Sequence, residues 1–231
     1  GVGIYDEGIG WLLADSACTK LGLKKSAVLY NSEDAFMQLV KDSFSQKSKE
    51  LGCEIVLEEA YTYETKDFRT LLLKAKERGA DALLVAGYDE AGLVLRQAGE
   101  LGLNFTIFGT ETFTSKNFLA NAGDSVEGAY FTSWNSDSRE YKDFLVEFQK
   151  KYSALPEQPL FSATGYDSVM VLVEAMKQGA TSGESLKKAL LLVNNLDGIT
   201  GTLTMSPDGI VRVVKEEMFR IEGASVVKVN K

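Results

Sequence analysis

The chain of 231 residues contains no histidine. That removes the commonest general base, the commonest transition-metal ligand and every Ser-His or Cys-His arrangement. Proline is nearly as scarce, at three residues, and no proline-rich linker, repeat or low-complexity tract divides the chain. The two cysteines, Cys18 and Cys53, lack the CxxC spacing of a redox or zinc motif. Free cysteine is among the most buried residue types, so the pair reads as small core hydrophobes in preference to a disulfide, and the redox compartment stays open. No apolar run approaches the roughly 20 residues of a membrane span, and no signal-peptide pattern is present. The start, GVGIYDEGIG, reads like the interior of a protein, so further sequence is expected upstream. Positive charge is in the minority: 25 Lys and Arg face 33 Asp and Glu, for a net charge of −8 and a pI near 4.8. Nucleic acid and anionic membrane both call for basic patches and are disfavoured as partners.

What the chain does have is alternation. Short apolar strands SAVLY (26–30), EIVLE (54–58), DALLVAG (81–87) and FTIFG (105–109) are separated by amphipathic helices over about 33–50, 67–78 and 90–102. GAYFTS (128–133) supplies a fifth strand. The stripe Phe36, Leu39, Val40 and Phe44 recurs as Phe68, Leu71, Leu72 and Ala75, with Thr65 or Asp67 placed as cap, and again as Ala91, Val94, Leu95, Ala98 and Leu101. An earlier helix over 7–21 would present Trp11, Ala14, Cys18 and Leu21 on one face before Gly22 stops it. This pattern predicts an α/β fold, a flavodoxin-like or Rossmann-like parallel sheet flanked by helices. In such sheets ligands bind outside the carboxyl ends of the strands, so the residues just after each strand are the ones to inspect.

Past residue 134 the alternation stops. Helices are expected at about 138–152, with Tyr141, Phe144, Leu145, Phe148 and Tyr152 in a stripe, at 161–178, apolar nearly all round, and at 184–193. Consecutive helices of this kind need a sheet to cover, and none is evident for them. A β-rich tail follows, turning at Ser206-Pro207-Asp208-Gly209.

The segments 24–36, 65–103, 108–115, 126–133, 161–169 (FSATGYDSV) and 196–209 (LDGITGTLTMSPDG), taken in order, resemble type I periplasmic solute-binding proteins of the branched-chain amino acid and amide group that serve ABC importers. The resemblance spans most of the chain and implies one lobe of a two-lobed fold, with most of the N-terminal lobe missing. By it, residues 1–133 form a C-terminal-type lobe, 134–195 are helices that would cover the missing first lobe, and 196–231 return to lobe and hinge. It implies binding of a small amino acid-like solute without chemistry, a membrane permease as partner, and a periplasmic or extracellular membrane-anchored location. A missing first-lobe fragment or a second copy of the chain would cover the spare helices. The alternative is a ligand-sensing domain of the same fold in a receptor or regulator. A flavodoxin-like cofactor or enzyme domain is the third reading, disfavoured by the absence of a phosphate loop and of any nucleophile–base pair.

Four residues are candidates for ligand contact. Tyr88 opens GYDEAG after the strand 81–87, and Glu111 lies in GTET after 105–109, where a carboxylate can pair with a ligand ammonium. Both match ligand-contacting positions of the resembled family. The resemblance also implicates Phe36, where related proteins often carry a cleft tyrosine, and Phe161, at the start of its helix. Phe36 also fits core packing, Tyr88 an exposed loop tyrosine, and Glu111 a carboxylate favoured by a helix starting near Thr114. Tyr166 reads as core. The acidic pairs Glu33-Asp34 and Asp89-Glu90 lack the alternating ligands and turn glycine of a calcium loop, and GVGIYD is a poor nucleotide fingerprint, so no metal or cofactor is expected.

Overall fold

In the computed structural model, which describes residues 2–3, 8–134, 138–213, 216–223 and 225–229, the expected alternation becomes a sheet with crossover helices. The elements in chain order are β1 (Val2–Gly3), α1 (Gly8–Asp15), β2 (Lys25–Asn31), α2 (Ala35–Glu50), β3 (Glu54–Tyr61), α3 (Arg69–Glu77), β4 (Ala82–Ala86), α4 (Gly92–Glu100), β5 (Thr106–Gly109), α5 (Lys116–Ala122), β6 (Tyr130–Trp134), α6 (Arg139–Tyr152), α7 (Pro159–Lys177), α8 (Gly183–Leu190), β7 (Leu196–Gly198), β8 (Gly201–Met205), β9 (Val211–Val213), β10 (Glu216–Glu222) and β11 (Ser225–Lys228). Parts of the opening GVGIYD and of the tail, residues 214–215 among them, lie outside the described residues.

These elements fall into two compact units, one of Glu7–Ser133 with Glu216–Lys231, the other of Gly1–Asp6 with Trp134–Lys215. The larger unit holds a seven-stranded sheet in the order β11-β10-β6-β5-β4-β2-β3. Pairing is parallel from β6 through β5, β4 and β2 to β3, and antiparallel between β10 and β11. The central strand β4 is buried along its whole length and β2 over most of its own, as expected of a parallel sheet covered on both faces. Ala27, Leu29, Leu83 and Val85 meet Phe68, Leu72, Ala75, Val94, Leu95 and Phe118 in one continuous core, which seats α3, α4 and α5 on that face. Strand neighbours point the other way, so Val28 and Leu84 face the opposite side, where α2 packs.

Local chemistry sets the helix starts. Asp34 caps α2 by accepting from the Met37 amide at 2.9 Å, and Ser115 caps α5 through the Phe118 amide at 3.0 Å. At α3, Asp67 accepts from the Arg69 amide at 3.0 Å, whereas Thr65 closes a local turn with Thr62 instead. The face of α1 differs from the sequence expectation. Ile9, Leu13, Ala14, Ala17 and Cys18 are buried, while Trp11 and Leu21 are each 41% exposed. The cause is α2: Gly10 lies directly against Ser43 and the backbone at Val40 and Phe44, so the side without a side chain fixes which way the helix turns. A single wide turn over Ser16–Lys20 then breaks the 3.6-residue period on which the expected stripe rests.

The cysteines also differ from expectation. Cys18 and Cys53 are bonded to each other, tying the turn after α1 to the start of β3 across a sequence separation of 35. Spacing alone carried no sign of it, because the two meet only after β2 and α2 have packed between them in sequence. Closing a loop of this size stabilises by about 3–4 kcal/mol through the unfolded chain. Treatment with a reducing agent should therefore lower the melting temperature measurably. An unchanged melting curve after complete reduction, verified by thiol counting, would show that the crosslink contributes nothing.

The smaller unit supplies the sheet that the sequence did not reveal. Its strands run β1-β9-β8-β7, with β1 parallel to β9 and the remaining pairs antiparallel. Val171 of α7 meets Val193, Leu203 and Val211 in a small core. Buried Asp167, also on α7, accepts from the amides of Ile199 (2.7 Å) and Thr200 (2.9 Å) and from the Thr200 hydroxyl, holding the β7–β8 turn. This small sheet covers only part of the helices. Val146, Tyr152, Phe161, Val169, Met176 and Leu192 remain more than half exposed.

Candidate functional site

The strand order reverses at β2: the chain steps outward from β2 to β3, then returns to place β4 on the other side. Such a switch point opens a crevice beyond the carboxyl ends of the two strands. Three segments of the larger unit converge at this crest, following β2 (residues 31–34), β4 (87–91) and β5 (110–115). Two of them leave their strands through a glycine in close quarters. A Cβ at Gly87 would collide with the Tyr61 hydroxyl, and one at Gly109 with the ring of Phe113.

Hydrogen bonds then tie the segments together. Asn31 donates to Glu90 at 2.9 Å, joining the ends of β2 and β4, and the same Glu90 oxygen accepts from the Tyr88 amide at 3.3 Å. The Thr112 hydroxyl donates to the Gly87 carbonyl at 2.9 Å, joining the ends of β4 and β5. Asp89 accepts from the Ser115 hydroxyl at 2.5 Å and the Asn117 amide at 3.0 Å, and its carbonyl accepts from Asn121 at 2.7 Å.

Glu111 sits in this framework in an unusual condition. It is 7% exposed, and its Oε2 is buried with no hydrogen-bond partner among the described residues. Burial without a cation pushes its carboxyl up to about 7, against a smaller opposing effect of its own backbone. The alternative of a carboxylate favoured by a helix starting near Thr114 meets a different geometry: residues 111–114 form a short 3₁₀ turn, and α5 starts at Lys116 with Ser115 as its cap.

Tyr88 is half-buried after β4. Its hydroxyl is pushed up first by burial, then by the charge of Asp34, by Tyr63 and by Glu111. Its ring lies 6.4 Å from that of Tyr63, and both hydroxyls reach Asp34 Oδ2, at 3.5 and 3.4 Å. Phe36 stands partly buried in the first turn of α2, one turn before the buried Val40. The structure thus brings Tyr88 and Glu111 to one crest, with Phe36 on the helix that leaves it. Phe161 belongs to the smaller unit, at the start of α7, and is 54% exposed. Tyr166, expected in the core, is 48% exposed, with its ring 5.8 Å from that of Phe144, because the small sheet lies along a different side of α7.

Several participants escaped the sequence reading. Tyr63 follows β3 in a polar stretch with no periodicity to single it out. Asp34 and Asp89 stand in acidic pairs whose spacing carries no sign of their hydrogen-bonding roles, and among the described residues no cluster of three metal-ligating side chains occurs. Thr132, next in β6 after the last residue paired with β5, also has a buried hydroxyl without a partner among the described residues.

An internal consequence of the Glu111 environment is open to test without any ligand. Its carboxyl is raised in the fold above the ordinary value of 4.5, so its contribution to stability is fully present below about pH 4.5 and lost as pH rises through about 7. Ionising it in the fold costs about 3 kcal/mol. Glu111→Gln should match the unaltered chain in melting temperature at pH 4.5 and exceed it at pH 8. Equal melting temperatures at both pH values would place Glu111 in contact with water.

The sequence profile of the periplasmic binding protein family matches residues 12–215. Among curated relatives, Leu/Ile/Val-binding protein homolog 3 of Brucella melitensis biotype 1 is 25% identical over 221 residues, covering 94% of this chain and 59% of the relative. The leucine-, isoleucine-, valine-, threonine- and alanine-binding protein of Pseudomonas aeruginosa is 26% identical over 188 residues, 80% of this chain and 50% of that one. Among solved structures, the isoleucine complex of the branched-chain amino acid transporter substrate-binding protein of Streptococcus pneumoniae superimposes with a TM-score of 0.84 at 26% identity, over 99% of this chain and 67% of its own. A leucine-binding protein of Thermotoga maritima gives 0.86 at 24% identity, over 97% and 65%, a likeness of fold. This chain therefore spans about half the length of the curated relatives it matches, and it belongs to the type I periplasmic binding protein family.

Proposed function

We propose that this chain contributes one lobe of an extracytoplasmic binding protein that captures a small amino acid for an ABC importer, with no catalytic step. The observation that carries the reading is Glu111: a buried carboxylate oxygen with no partner among the described residues, at the carboxyl end of a strand beside a switch point. Such a group is costly to keep unless something completes it, and a ligand ammonium is the complement in charge and hydrogen-bonding sense. Tyr88 and Phe36 would flank the bound solute, and Phe161 is carried as a fourth candidate contact by resemblance alone. Closure of two lobes on the solute would then be the signal read by a membrane permease. The relatives' names, which specify leucine, isoleucine and valine, support an aliphatic α-amino acid. By the same reading, the exposed faces of α6, α7 and α8 would be covered by the lobe that the relatives' additional length provides.

The test is a nuclear magnetic resonance titration of this chain with L-leucine and with 4-methylpentanoate, which keeps the carboxylate and side chain but lacks the amine. One lobe supplies only part of the contacts, so affinity should be millimolar. Leucine should shift the Tyr88 and Glu111 signals and 4-methylpentanoate should not. Equal response to both, or no response at these residues, would reject the reading. Tyr88→Ala should weaken the leucine response by about 1–3 kcal/mol while leaving the fold intact. A loss of melting temperature with affinity retained would make Tyr88 a packing residue.

A further inference from the structure

The sheet alone does not fix Tyr88 and Glu111 relative to each other. They leave different strands, and β4 and β5 pair only as far as Leu84 with Phe108. Beyond that register, their separation depends on bonds between the two loops. Three of these converge on one residue whose hydrogen bonds go to neither candidate side chain. Asp89 takes the Ser115 hydroxyl on one carboxylate oxygen, the Asn117 amide on the other, and the Asn121 amide on its carbonyl. Ser115 passes the constraint on, because the same oxygen caps α5 through the Phe118 amide. The segment that carries Glu111 is thus anchored at its far end to the residue that follows Tyr88. Its near end is anchored by Thr112 on the Gly87 carbonyl.

We propose that Asp89 is a positioning residue of the ligand site: by clamping Ser115 and Asn117 it holds the 111–114 turn closed over the Glu111 carboxylate and sets the distance between Glu111 and Tyr88. The proposal rests on the reading of those two residues as ligand contacts. Its physical basis is that a binding constellation works only when its side chains are held to within about half an ångström by a supporting shell. The Asp89 carboxylate meets two side-chain donors; an amide in its place would turn its NH₂ either toward the Asn117 NH₂, also a donor, or toward the Ser115 oxygen, which already accepts from the Phe118 amide.

Three forms of the chain decide the matter: unaltered, Asp89→Ala, and the double variant Asp89→Asn, Asn117→Asp. The double variant exchanges acceptor and donor within the pair and keeps the net charge. The readout is the ¹³C titration of the Glu111 carboxyl, recorded without ligand on samples whose amide spectra show the fold intact. Asp89→Ala should let water reach Glu111, so its midpoint falls from about 7 toward the ordinary carboxylate value. The double variant should restore it. The leucine response should weaken about tenfold in Asp89→Ala and recover in the double variant. A midpoint unchanged in folded Asp89→Ala overturns the proposal. So does a midpoint that falls equally in the double variant, which would trace the effect to something other than the clamp. If Asp89→Ala does not fold, Asn117→Ala removes one arm of the clamp and should move the midpoint in the same direction, and failure to move it likewise overturns the proposal. Should leucine fail to shift Tyr88 or Glu111 in the unaltered chain, the functional reading falls, while the carboxyl titration still reports on the clamp.

Discussion

Glu111→Ala should abolish the leucine-dependent response of this chain while leaving its fold in place. Among the described residues Oε2 has no hydrogen-bond partner to lose, so truncation removes an unfavourable burial and no contact at that oxygen. The ligand pays instead. Its ammonium would enter the crest with no anion to meet it, and breaking a sheltered charge pair by removing one partner costs about 3–5 kcal/mol. That is more than a hundredfold in affinity, which takes millimolar binding beyond reach. The variant's thermal stability should meanwhile equal or exceed that of the unaltered chain above pH 7, since the ionised carboxylate is disfavoured there. Retained affinity in a folded Glu111→Ala chain would remove this residue from the site, and stability lost together with affinity would make it structural.

The second large effect is expected far from the ligand. Asp167 is fully buried in the middle of α7 and accepts three hydrogen bonds from the β7–β8 turn. Asp167→Ala would leave the amides of Ile199 and Thr200 without their acceptor, along with a cavity against Gly198, whose backbone approaches the carboxylate closely. Each buried donor left unsatisfied costs about 1–3 kcal/mol, so the sum is on the order of 3–5 kcal/mol. The loss should appear as a lower urea midpoint, with β7 and β8 amides losing hydrogen-exchange protection first and the strands β2 to β5 keeping theirs. Uniform loss of protection across both units would show that the two unfold as one.

The contrast between Glu111 and Asp167 marks what the sequence made legible. Glu111 follows a strand of clear period in a doubly wound pattern, so its place at a carboxyl end could be read directly. Tyr88 was legible for the same reason. Asp167 lies inside a helix that is apolar nearly all round, and nothing local distinguishes it from a surface carboxylate. Its partners are 32 and 33 residues away, in a turn whose course depends on tertiary packing.

The alternating strands and helices were recovered to within a few residues because parallel strands buried on both faces are apolar throughout, a strong local signal. The small sheet β1-β9-β8-β7 left a weaker one. Its strands are only two to five residues long, and one comes from the opposite end of the chain. The disulfide and the face of α1 share that origin. Both are set by how α1 meets α2, through the bare surface of Gly10, and neither leaves a periodic trace. Within the site, the sequence offered single residues, whereas the crest is a lattice of cross-loop bonds in which Asn31, Glu90, Thr112 and Asp89 do the joining. Spacing along the chain cannot show pairs such as Asn31 and Glu90, separated by 59 residues.

In the proposed site, the Glu111 carboxylate is the receptor for a ligand ammonium. The most direct test is the ¹³C titration of that carboxyl with and without saturating L-leucine. Without leucine the midpoint should lie near 7, held up by burial. With leucine it should fall well below that value, because a neighbouring cation favours the ionised form. A midpoint that leucine leaves unchanged would contradict the account.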